Sequence, residues 1–149
     1  MLYQQGRRAV RYVAKVNERF HPPRYYSFVG GPFDSASEAR AWLDERPYLS
    51  EHIVVYSEDP SELGQMDFID ACISKFEEVE RDFIRALPFL PLDKPFDLSF
   101  SVSRINEMGV DVSRDRIGAA AKLMPGFNAS PKVGEYVVSG AVYGYLRGG

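Results

Sequence analysis

The chain has 149 residues, 45% of them hydrophobic and 26% charged, with a formal net charge of −3; this suits a packed core and excludes extensive disorder. A single cysteine, Cys72, excludes an internal disulfide framework and a cysteine-based zinc site. The N-terminal stretch lacks the apolar core of a signal peptide, and no run approaches the roughly 18 apolar residues of a membrane span, so a cytoplasmic protein with no membrane partner is expected.

Charge is unevenly distributed. Six cations face one acid between Met1 and Phe28, whereas eight acids face three cations between Asp59 and Leu92. A basic start followed by an acidic middle allows two surfaces of opposite sign, each able to meet a different partner.

Residues 1–58 read as a ββαβ module. "RYVAKVNERF" alternates as a strand, "HPP" interrupts it, and "RYYSFVG" resumes extended structure, which predicts a hairpin. In "DSASEARAWLDER", Ser35 and Glu38 have capping-box spacing, and Ala39, Trp42 and Leu43 form an apolar stripe at helical spacing. Pro47 ends that helix, and the β-branched residues of "HIVVYSE" predict another strand.

Residues 59–92 read as an acidic amphipathic helix and a proline-rich linker. Met66, Ile69, Ile73, Phe76, Phe83 and Leu87 are separated by threes, fours and one seven, which predicts a long central helix to Leu87, serving as a spine or as the seam of a homodimer through residues 59–87. Pro88 and Pro91 stop it, and "PFLPLDKP" reads as a stiff connection.

In residues 93–149, Phe96, Leu98 and Phe100 alternate like a short strand, and Val102, Ile105 and Met108 recur as the apolar side of a helix ended by Gly109. Ser113 caps a second helix with Asp115 in its first turn; Ile117, Ala120, Ala121 and Met124 turn inward, and Pro125 and Gly126 close it. "GEYVVSGAVYGYL" predicts a tight hairpin around Ser139 and Gly140. The fold class is therefore α+β, with the ββαβ module, the long helix and a final helix–turn–helix–hairpin module.

With that inward face, the opposite side of the second helix carries Arg114, Gly118 and Lys122, two cations flanking a glycine–alanine surface. Gly118 costs a helix about 1 kcal/mol relative to alanine, and close approach of a DNA backbone or of another helix would account for it. Arg104, Arg116, Lys132 and Arg147 add candidate phosphate contacts. Against these stands near-neutrality: seven cations and six acids between Asp93 and Gly149. In "RRAVRYVAKVNERFHPPRYYSF", Arg7, Arg8 and Arg11 stand among aromatic residues suited to stacking on bases; a solvated edge that discourages sheet aggregation explains the same pattern.

"INEMGVDVSRDRIGAAAKLMPGF" followed by "GEYVVSGAVYGYL" resembles the winged-helix domains at the ends of phage and plasmid replication proteins, over about the last third of the chain. The resemblance implies duplex DNA read by the second helix, or protein docking, since the fold serves both. The N-terminal "YVAKV" and "YYSFVGGPFDSASEARAWLDE" look like the sheet-plus-helix arm-binding domains of some phage integrases and like small phage-encoded domains generally.

No enzymatic site is apparent. His21 and His52 lack partners at metal-ligand spacing, Cys72 lies beside the apolar stripe of the long helix, and the glycines of "VGGPF" and "VSGAVYGY" lack a phosphate-loop lysine. No cofactor or metal is expected. The sequence predicts a non-enzymatic nucleic-acid-binding protein, phage or mobile-element encoded. The alternative is a protein-binding inhibitor or adaptor, such as an anti-defence protein, acting on a host protein through the acidic helix and basic sheet.

Overall fold

β-branched and aromatic residues at alternating positions build the first sheet. Strands β1 (Arg11–Val16) and β2 (Phe28–Phe33) are followed by helix α1 (Ala36–Asp44) and strand β3 (Ile53–Glu58), which is the ββαβ order expected. The computed structural model describes residues 11–16, 28–49, 53–58 and 66–147. His21, His52, "RYYS" and the expected helix start at residues 59–65 lie outside these.

β1 is central, in the order β2-β1-β3, and pairs with both neighbours antiparallel. Its ladder with β3 runs unbroken from Arg11↔Glu58 to Val16↔Ile53. Its ladder with β2 shifts register, with Lys15 opposite Phe28 but Ala14 opposite Gly30. The extra residue, Val29, reverses side-chain parity, so Phe28 and Gly30 face opposite sides of the sheet. Phe28 joins Val13 in a core cluster with Ile69, Cys72 and Ile73. Gly30 faces the indole of Trp42, where a Cβ would stand 2.7 Å from Cζ2, so only glycine fits.

Helix α1 is capped as expected by Ser35, whose Oγ accepts the Glu38 amide at 3.2 Å, while the Glu38 carboxylate reaches one residue past the cap and accepts the Asp34 amide at 3.4 Å. Ala39 is fully buried, and α1 packs on all three strands. The Arg46 guanidinium lies 4.0 Å from the Trp42 ring centroid and donates to the Trp42 carbonyl.

The long helix α2 spans Met66–Ala86. Ile69, Cys72, Ile73, Phe76, Val79, Phe83 and Ala86 are all buried within the protein itself. The stripe expected to form a dimer seam is therefore occupied by the chain's own core. Two compact units divide inside this helix, Met1–Glu77 and Glu78–Gly149. The stretch read as a stiff connection is packed: Leu87–Phe89 forms a 3-10 turn, and Leu87 and Leu90 are each 1% exposed.

In the second unit, strand β4 (Phe96–Asp97) is shorter than the alternation of Phe96, Leu98 and Phe100 implies. Asp97 accepts the Phe100 amide at 2.7 Å and starts helix α3 (Leu98–Glu107), which buries Leu98 and turns Phe100 outward. Gly109, at φ +91°, ends that helix as expected, but Met108 is 56% exposed rather than inward. Helix α4 (Arg114–Ala120) is capped by Ser113 as expected.

The hairpin differs from the sequence reading. Strand β5 (Phe127–Ala129) pairs with β6 (Glu135–Val138) across a loop closed by Gly134 at φ +85°, giving an antiparallel sheet of order β4-β6-β5. The residues beyond Ser139 form the short helix α5 (Gly140–Tyr143). Two contacts hold it as a helix: the Asp93 carboxylate accepts the Gly140 amide at 3.0 Å, and the Tyr143 hydroxyl donates to the Pro125 carbonyl. Around them Phe83 stacks on Phe127 at 5.0 Å between centroids and meets the edge of Tyr143 at 5.1 Å.

Candidate nucleic-acid interface

Helix α4 is positioned by its buried residues. Ile117 and Ala120 are fully buried, and Leu123 and Met124 follow them into the core from the turn beyond the helix. Ala121 is half-buried at the C-cap rather than inward. Because α4 ends at Ala120, Lys122 stands in that turn, exposed, with its amide bonded to the Ala119 carbonyl.

The start of α4 is fixed by α2. Asp82, 2% exposed, accepts the Ser113 amide at 2.8 Å and lies 3.4 Å from Arg116 Nη1 and 3.6 Å from Arg81 Nε. Arg116 also donates to Glu78 at 3.3 Å, and Arg85 donates to the Asp111 carbonyl at 3.3 Å. A buried carboxylate needs such partners, because removing it from water is costly unless its oxygens are satisfied.

These contacts correct several sequence expectations. Arg116, expected as a phosphate contact, braces α4 against α2: its Nε donates to Glu78 and its Nη1 to Asp82. Of the acids on the long helix that the inhibitor or adaptor alternative invokes, Asp82 is buried, while Glu78 stays 40% exposed beside Arg116. Gly118 does not form a bare outward surface: a Cβ there would lie 3.5 Å from Leu98 Cδ2 and 3.6 Å from the Tyr136 hydroxyl, side chains of this chain. Arg147 donates to the Pro88 carbonyl at 3.3 Å and braces the turn after α2. Arg104 sits on α3 over the ring of Phe100.

Arg114, Lys122 and Lys132 remain exposed. Arg114 donates to Ser99 Oγ at 2.6 Å and has Asp115 3.9 Å away. Lys132, in the β5–β6 loop, is 77% exposed with Glu135 at 3.5 Å. Surface pairs of this kind contribute little and yield readily to a stronger anion. Beside Lys132, Val133 is 97% exposed at the loop tip. Arg7 and Arg8 lie outside the described residues, and Arg11 is described only in its backbone, at one end of β1.

Burial pushes the phenol of Tyr143 well above its usual ionisation range, and Tyr145 nearby adds to the shift, so Tyr143 stays protonated as a donor. Among the described residues no group of three or more His, Cys, Asp or Glu could hold a metal ion, and no helix is long and apolar enough to cross a membrane. Comparison with protein-family models, with curated proteins and with solved structures finds no match.

Two features escape the sequence reading. Asp82 falls three residues after Val79 and one before Phe83, on the buried side of α2, which is the signal that an acid there needs an internal partner. The exposed group of Phe89, Phe100 and Met108 carries no such mark, because each fits a linker, a strand or a core stripe equally well in the sequence.

Proposed function

We propose that the second unit is a winged-helix-like module that contacts duplex DNA through Arg114, Lys122 and Lys132, and that the protein acts by binding rather than by catalysis. The observation that carries this reading is the order of elements: helix, short strand, two helices, then a hairpin whose second strand lies between the other two in the sheet. In that order the helix before the hairpin and the hairpin loop are the usual contact surfaces for DNA. Here they supply exposed cations at the start of α4, just past its end, and in the loop.

Nine Lys and Arg balance nine Asp and Glu between Glu78 and Gly149, so binding depends on the placement of cations and not on an overall field. The reading is tested by anisotropy with a labelled mixed-sequence duplex. Reversal of all three cations, Arg114→Glu, Lys122→Glu and Lys132→Glu, lowers affinity by more than about tenfold while circular dichroism stays that of the wild type. Wild-type affinity in the triple variant removes this surface.

A further inference from the structure

The second unit carries an open cleft of about 270 Å³ lined by Phe89, Phe100, Ser101, Arg104, Ile105 and Met108. Ile105 is buried beneath it, while Phe89, Phe100 and Met108 are 46%, 62% and 56% exposed. Three of the five exposed large apolar side chains described in this unit, the others being Val133 and Tyr145, therefore converge on one cleft. Scattered apolar side chains are ordinary on a protein surface, but a group of them around a concavity marks a place that another molecule covers.

Arg104 is the only charged residue lining the cleft. Its guanidinium lies 5.7 Å from the Phe100 ring centroid, and no ion pair engages it among the described residues. An occupant complementary to this lining presents apolar bulk to Phe89, Phe100 and Met108 and a carboxylate to Arg104. We infer that the cleft docks a protein segment of that chemistry: one face of an acidic amphipathic helix, with an apolar anchor side chain beside an Asp or Glu.

The lining favours protein over a single-stranded nucleic acid. Met108 gives a flexible thioether surface that adapts to side chains, and one arginine offers one phosphate contact where a strand needs a charged track. None of Arg114, Lys122 and Lys132 lines the cleft, so the proposed docking and DNA contacts use different side chains.

The test titrates the full chain with a fluorescein-labelled amphipathic helical peptide carrying Leu and Phe at i, i+4 and i+7 with glutamates beside them. Counterparts carry glutamine or lysine in place of glutamate, and labelled oligothymidine is the nucleic-acid probe. The glutamate peptide binds about tenfold more tightly than the glutamine peptide, and Arg104→Glu reverses the order so that the lysine peptide binds best. Phe100→Ser and Met108→Ser abolish binding of every peptide while the thermal midpoint is kept, because both side chains are more than half exposed. The triple cation variant binds the glutamate peptide as the wild type does. The inference is overturned by equal affinity for the three peptides, by an unchanged preference in Arg104→Glu, by no peptide binding, or by oligothymidine binding that Phe100→Ser removes.

Discussion

Asp82 holds Arg116: a carboxylate 2% exposed on α2 lies 3.4 Å from a guanidinium on α4 and accepts the Ser113 amide beside it. One side chain therefore sets both the N-cap of α4 and the orientation of its first turn, where Arg114 is presented. Asp82→Ala leaves the Ser113 amide without its acceptor and Arg116 with Glu78 alone, and destabilises the second unit by about 3 kcal/mol. Arg116→Gln, at a site 40% exposed, costs about 1 kcal/mol and leaves duplex affinity unchanged. Urea unfolding followed by circular dichroism reads the first effect and DNA anisotropy the second. A fall in DNA affinity in folded Arg116→Gln contradicts its role as an internal brace.

Gly118 gives a second separation of packing from binding. An alanine Cβ there meets Leu98 and Tyr136 at ordinary van der Waals distances, and alanine favours the helix by up to about 1 kcal/mol. Gly118→Ala therefore raises or preserves the thermal midpoint and leaves DNA affinity unchanged. Lowered stability would show that the neighbouring side chains cannot accommodate the methyl group, and lowered affinity at full stability would place DNA against this position.

Elements with strong local signals were legible in the sequence. The Ser35 and Glu38 pair, the spacing of Ile69, Ile73 and Phe76, the Ser113 cap and the Gly109 stop all appear where propensity and periodicity put them. The differences fall where tertiary contacts override local pattern. Phe96, Leu98 and Phe100 alternate like a strand, but the Asp97 cap starts a helix in their midst. The run after Ser139 has strand-like residues, yet Tyr143 is drawn into the core against Phe83 and the Gly140 amide is held by Asp93. The candidate site was half legible: the exposure of Arg114 follows from helix periodicity, whereas the pairing of Arg116 with residues 34 and 38 positions earlier leaves no trace in local spacing.

The sheet of the first unit depends on the absence of a side chain at Gly30. A methyl group there would stand 2.7 Å from Trp42 Cζ2, closer than packed atoms approach. Gly30→Ala displaces the indole and costs about 1–3 kcal/mol. Trp42 is the only tryptophan in the chain, so its fluorescence reports this site alone. A shifted emission maximum and a lowered urea midpoint are expected, and an unchanged spectrum with an unchanged midpoint contradicts the packing.

Tyr143 makes the second unit sensitive to alkali. Its folded-state ionisation is raised by burial, so the unfolded chain releases the phenolic proton first, at about pH 10. The stability due to Tyr143 is fully present below that pH and is lost as pH rises above it toward the higher folded value. Tyr143→Phe is less stable at neutral pH, because the hydrogen bond to Pro125 is gone, and the gap between wild type and variant narrows above about pH 10. A gap that stays constant from neutral pH to pH 11 would show that the phenol ionises without unfolding the unit.

The salt dependence of duplex binding tests the central claim most directly, because every phosphate neutralised by a bound cation adds about −0.9 to the slope of log K against log salt. For the wild type a slope of about −3 is expected from Arg114, Lys122 and Lys132, shallower by about 0.9 in Lys132→Ala and near zero when all three are replaced by alanine. A slope near zero in the wild type, or one unchanged in the triple alanine variant, contradicts DNA binding through these residues.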